Sequence, residues 1–271
     1  MPVKSIFRMK RTKEIKEKFK TQRIVKQEFQ KTGKTNNCLE QKGVDFMESF
    51  YRYFKKSNWQ QLDIQTKKTL LQKLEDAQAQ KQNRQSVEVQ FQKLSSSDMG
   101  AYSPITQKIT LNQNQLDDSY EVMDTVIHEG HHREQHLLAM GDTRVMSYLD
   151  TIPHLRADVQ QQWRENMSNY NTTSSYEGYF LQPIEIDTVE RTYGEMVWNN
   201  ELYGYPEYQQ FLAEKNNYIQ KNRENAMKIY GPDYMKKLDE IREISKANPI
   251  RAGQLEQEYR VKQQQYERNI N

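Results

Sequence analysis

Apolar positions along the chain recur with two different periods, and the change between them divides it. From Glu14 to Gln30, Ile15, Phe19, Ile24, Val25 and Phe29 follow an approximately helical spacing. The polar run Thr32-Gly33-Lys34-Thr35-Asn36-Asn37 then reads as a loop. Val44 to Phe54 and Leu62 to Leu74 are two further predicted helices, with their Leu and aromatic residues facing a core. The Gln- and Lys-rich stretch from Ala77 to Gln85 reads as a solvated helix end or linker. Val87, Val89 and Phe91 next alternate with polar residues, the signature of a half-buried strand. Ser95 to Gly100 is rich in turn residues, and Pro104 restricts what precedes it to an edge or a loop. Ile109 and Leu111 mark a second strand from Lys108.

Asp118-x-x-Glu121 has the form of a capping box and predicts a helix running to about Met140, with Gly141 beyond it. Val122, Met123, Val126 and Ile127 supply its apolar face. Pro153 and a loop from Asn166 to Gly178 interrupt the pattern. Pro183 then suits the first turn of a helix from Gln182 to about Tyr203. From Pro206 onward the chain reads as polar helix, broken at Gly231-Pro232 and Asn248-Pro249. These elements predict an α+β protein, mainly helical with a small β-sheet. Its parts are a basic helical N-terminal region (1–85), a core (86–205) and a polar helical C-terminal region (206–271).

Charge sharpens this division. The net charge of the 271 residues is only +3. Residues 1–108 nevertheless carry 23 Lys/Arg against 11 Asp/Glu, residues 109–214 carry 5 against 18, and residues 215–271 carry 12 against 8. The middle block, with a balance of −13, should repel nucleic-acid phosphates and favour cationic partners. The basic first block suits an acidic partner, a nucleic acid, an acidic membrane surface or, as a solvated arm, the acidic core of its own chain. Leu, Ile, Val and Phe make up about a fifth of the residues, close to the disorder boundary. The low net charge, 17 Tyr and 11 Met argue for a folded chain. No run of 18 apolar residues is present, which predicts no transmembrane segment. The basic N-terminus lacks an apolar signal region, so the expected location is cytoplasmic, or outside the cell by a signal-peptide-independent route. The single Cys38 excludes an internal disulfide and a Cys-rich metal cluster.

All five histidines lie between positions 128 and 154, inside the acidic block. His128-Glu129-Gly130-His131-His132 is an H-E-x-x-H motif, whose chance occurrence at this composition is about 1%. Histidines at i and i+4 share one helix face and can reach a single Zn²⁺. The Glu beside the first can approach water at the metal without ligating it. His131 points away from that line, toward the surface or a supporting role, and His136 lies one turn too far along. A third ligand is required. Glu185, in the first turn of the downstream helix, is the foremost candidate, with His154, Asp187 and Glu190 as alternatives. Asp187 or Glu190 could instead accept a hydrogen bond from a ligating histidine and fix its tautomer.

The order of strand, H-E-x-x-H helix and later Glu-bearing helix resembles the gluzincin group of zinc metallopeptidases. Thr125-x-x-His128-Glu129-x-x-His132-x-x-Gln135 followed by Gln182-Pro183-x-Glu185-x-Asp187 is also similar to compact metallopeptidase domains of bacterial toxins, phages and mobile elements. The resemblance covers about 86–205 and implies a zincin-like core. It implies Zn²⁺ on His128, His132 and Glu185, with Glu129 as general base in peptide hydrolysis. The thermolysin pattern places Asp four residues after the third ligand, where this chain has Val189. Tyr170, Tyr176 and Tyr179 are candidate donors to the oxyanion. The strand ending near Leu111 is the expected partner for an extended substrate. The expected partner is thus a peptide or protein substrate, with nucleic acid disfavoured at the site. Two other readings are a delivered metallopeptidase toxin or effector, and a non-catalytic helical binding protein with a degenerate metal site.

Overall fold

A computed structural model describes residues 50–268 apart from 152, 172–175, 198, 200, 201 and 203, with side chains described up to residue 240 except 148, 151–153 and 172–177. The predicted helix Glu14–Gln30, the loop at 32–37 and most of Val44–Phe54 lie outside these residues.

The described chain is mainly helical around one small sheet. A 3-10 turn, Arg52–Phe54, and a short helix α1, Lys56–Trp59, lead into helix α2, Ile64–Lys81. Asp63 caps α2 by accepting the Thr66 N–H at 2.7 Å. Strands β1 (Glu88–Gln92), β2 (Gly100–Ser103) and β3 (Lys108–Asn112) follow. Helix α3 spans Ser119–Ala139, α4 Pro153–Ser168, α5 Tyr176–Phe180, α6 Pro183–Val197 and α7 Pro206–Arg268.

The sheet order is β1-β3-β2. β1 runs parallel to β3, with Val89 opposite Ile109 and Phe91 opposite Leu111. β2 is antiparallel to β3, joined to it by a tight turn in which Gln107 takes a positive φ and donates its N–H to Ser103 C=O at 2.8 Å. β3 is therefore central, and its backbone is paired on both sides. The expected pairing of a substrate with this strand is overturned. The exposed edge next to α3 belongs to β2, which lies just before Pro104.

Val89, Ile109 and Leu111 pack with Leu70, Leu71 and Leu74 of α2 and with Val122, Met123 and Val126 of α3. Tyr208, Phe211 and Leu212 of α7 and Trp59 of α1 complete this core, so one apolar cluster draws on all three expected regions. α3 begins as its capping residues predict: the Asp118 carboxylate accepts the N–H groups of Tyr120 and Glu121. It ends at a left-handed Gly141, whose φ of 85° suits a residue without a side chain.

Several expectations change. The stretch from Ala77 to Gln85 is not a solvated end, because Gln78, Ala79, Gln82 and Arg84 are buried against α3. Pro153 starts a helix instead of breaking one, as its fixed φ allows in a first turn, and the expected loop at 166–178 shrinks between α4 and α5. α6 ends at Val197, short of Tyr203. α7 kinks at Gly231 (φ 80°) as expected but remains helical through Asn248-Pro249. Pro249 removes one backbone donor from the helix at this point. Among the described residues, no helix is long and apolar enough to cross a membrane.

Candidate metal centre

His128 and His132 stand one turn apart on α3, and Glu185 is the third residue of α6, which packs across that face. Their donor atoms converge. The two Nε2 atoms are 3.0 Å apart, His128 Nε2 lies 3.3 Å from Glu185 Oε2, and His132 Nε2 lies 3.3 Å from Glu185 Oε1. Four-coordinate zinc with bonds of about 2.0–2.1 Å places neighbouring donors about 3.3 Å apart. The observed separations fit that geometry, and two imidazoles with one carboxylate suit a cation of this class. Glu185 is buried, while both imidazoles retain partial exposure, so the cluster opens toward solvent on one side.

Electrostatics tie the three groups together. Burial opposes charge on His132, but Glu185 and, more weakly, Glu129 outweigh it and raise its pKa to about 9. Burial likewise opposes ionisation of Glu185, and His132 and His128 reverse this, holding its pKa well below the usual carboxylate range. Tyr170 donates its hydroxyl hydrogen to Glu185 Oε1.

Glu129 points to the sheet side of the cluster, where one carboxylate oxygen accepts the backbone N–H of Tyr102 in β2 at 2.7 Å. Tyr179 packs edge-on against Tyr170, with ring centroids 5.9 Å apart. Burial, followed by the charges of Glu185 and Glu129, pushes the Tyr179 hydroxyl up to about 12. Two of the three tyrosines named as oxyanion donors thus border the cluster. The side chain of Tyr176 lies outside the described residues.

The alternative ligands lie elsewhere. His154 is exposed and faces Glu240 at 3.4 Å. Glu190 pairs with Arg223 at 2.7 Å. Asp187 accepts from Gln135 Nε2 at 2.6 Å, and Gln135 Oε1 lies 2.9 Å from His132 Nδ1. His131 is buried rather than at the surface, between Glu134 at 3.3 Å and Glu195 at 3.1 Å. His136 sits beside Tyr102 with its Nδ1 buried and without a hydrogen-bond partner.

A buried polar layer holds the back of α3. Arg84 forms a two-pronged pair with Glu75 at 2.6 and 2.9 Å and reaches Gly130 C=O at 3.3 Å. Gln78 donates to Ile127 C=O at 2.9 Å. Glu134 takes hydrogen bonds from Gln82, at 2.6 Å, and from Arg191. Burial opposes its charge, and Arg191 and His131 overcome this, lowering its pKa to about 2. The sequence reading missed Tyr102, whose contribution is a backbone group, and missed Glu75, Gln78, Gln82 and Arg84, whose polarity read as solvation. Gln135 carried a usable signal in its position three residues after His132. In comparisons with protein-family models, curated proteins and solved structures, nothing matches this chain.

Proposed function

We propose that the chain is a zinc metallopeptidase of the gluzincin type, with His128, His132 and Glu185 as metal ligands and Glu129 as general base in a zincin-like core. The observation that carries this reading is the spacing of the donor atoms of three residues at 3.0–3.3 Å, with a second carboxylate, Glu129, beside them that is bonded to the sheet edge. A purely structural metal site has no need of that carboxylate.

Zinc held there supplies Lewis-acid polarisation of a carbonyl and lowers the pKa of water toward neutrality. The chain's own residues do the rest. The Tyr102 N–H fixes one oxygen of Glu129 and leaves the other to take a proton from the attacking water. Glu129 then returns this proton to the leaving amine. Tyr170 gives its hydroxyl hydrogen to Glu185, while Tyr179 keeps its own at neutral pH and can donate to the oxygen on which charge develops. The acidic balance of residues 109–214 favours cationic peptide or protein substrates over nucleic acid.

The test is metal analysis of full-length protein exposed to zinc, wild type against His132→Ala, with cleavage of an unstructured cationic protein. One zinc per chain, lost in the variant, and cleavage lost in Glu129→Gln are expected. A wild-type chain that binds no zinc, or full cleavage by Glu129→Gln, would sink the reading.

A further inference from the structure

Gln135 is buried between α3 and α6, and its side chain has one acceptor end and one donor end. Nε2 faces α6, 3.1 Å from Ile184 C=O and 2.6 Å from Asp187 Oδ2. A carbonyl can only accept a hydrogen bond, and Asp187, beside Arg191 at 3.6 Å, presents a carboxylate. Both partners therefore require the NH₂ end, and the amide cannot be flipped without opposing acceptor to acceptor. That leaves Oε1 facing His132 Nδ1 at 2.9 Å. Thr188 Oγ1 lies 3.4 Å from the same nitrogen but gives its own hydrogen to Ile184 C=O at 2.8 Å. Both neighbours of His132 Nδ1 thus accept, so this nitrogen must carry the hydrogen. In a neutral ring the lone pair is then on Nε2, the atom that faces His128 and Glu185.

We propose that Gln135 is the positioning residue for His132: the direction of its amide, set by Asp187 and the Ile184 carbonyl, selects the tautomer that presents Nε2 to the metal cluster. The inference rests on the metal-centre reading above and adds the device that orients one ligand. The amide couples the Asp187 carboxylate to the ring.

A residue that merely fills space tolerates an apolar replacement of similar size, whereas a directional relay does not. Gln135→Leu should weaken zinc binding by about 10- to 100-fold, measured by chelator competition on the full chain. Gln135→Glu should also weaken it, because the introduced carboxylate meets Asp187 and the Ile184 carbonyl. Adding Asp187→Asn supplies a donor in place of the opposing acceptor, and the double variant should recover to within about threefold of wild type. Zinc-loaded wild type should show His132 hydrogen-bearing at Nδ1 in long-range ¹⁵N–¹H spectra. Gln135→Leu binding zinc within about twofold of wild type, or a double variant no better than the summed single effects, would overturn the relay. If wild type binds no zinc, the metal-centre reading fails by itself. The relay is then judged on the metal-free chain: slow exchange of the Gln135 carboxamide hydrogens that is lost in Asp187→Ala supports it, and fast exchange in wild type overturns it.

Discussion

The Glu129 carboxylate accepts the backbone N–H of Tyr102 at 2.7 Å, tying the second residue of the H-E-x-x-H motif to the open edge of the sheet. The bond uses one oxygen and leaves the other for chemistry. An amide at this position can still accept the Tyr102 hydrogen bond through its oxygen but cannot take a proton. Glu129→Gln should therefore keep its fold and bind zinc as wild type does, while kcat/KM for a cleaved peptide falls about 10²- to 10⁴-fold. Parallel zinc titration and initial-rate measurements check this. Loss of zinc together with rate would place Glu129 among the ligands instead.

Zinc affinity should rise with pH. The His132 pKa is raised to about 9 by Glu185 and Glu129 against the opposing effect of burial, so at neutral pH a cation must displace a proton from this ring. Apparent affinity should increase through the neutral range and flatten once pH passes about 9. Proton release on zinc addition, followed with a pH indicator in weak buffer, should decline over the same interval. Affinity independent of pH between 6 and about 9 would remove His132 from the ligand set.

Much of the candidate site was legible because its signals are local. A spacing of four places His128 and His132 on one face, the Asp118 cap fixes where their helix begins, and Pro183 fixes where the Glu185 helix begins. Each depends on a few neighbouring residues. The parts that were not legible depend on contacts distant in sequence. β2 is too short and too polar to show an alternating pattern, yet it forms the open edge because β1 returns in parallel to β3. Gln78, Gln82 and Arg84 look solvated in a Gln- and Lys-rich stretch. Each also bonds to a group of α3 that lies 46–49 residues away, and no local pattern encodes that pairing.

Gly130 follows Glu129 because α2 approaches α3 closely there. A Cβ at this position would lie 2.0 Å from Gln78 Oε1 and 3.0 Å from Glu75 Oε2. Gly130→Ala should force Gln78 aside and strain its hydrogen bond to Ile127 C=O, outweighing the gain in helix propensity. The expected net loss is about 1–2 kcal/mol in urea denaturation. Because the obstructing atom ends a flexible side chain, Gln78→Ala should cost less in the Gly130→Ala background than in wild type. Equal costs in both backgrounds would mean that the two residues do not meet.

Glu134 should make the fold acid-sensitive. Its pKa in the folded chain is lowered to about 2 from an ordinary value of 4.5: burial opposes the charge, but Arg191 and His131 overcome it. A depressed folded-state pKa contributes stability in full above the unfolded value, and that contribution is lost as pH falls from about 4.5 toward 2. Glu134→Gln removes the charge at every pH and leaves Arg191 buried without this partner, a loss of about 3–5 kcal/mol near neutrality. The stability gap between wild type and variant should be widest at neutral pH and narrow as wild-type Glu134 becomes protonated. Denaturant titrations at pH 7, 5, 4 and 3 read the gap directly. A gap that stayed constant down to pH 3 would indicate that Glu134 acts through shape or hydrogen bonding rather than charge.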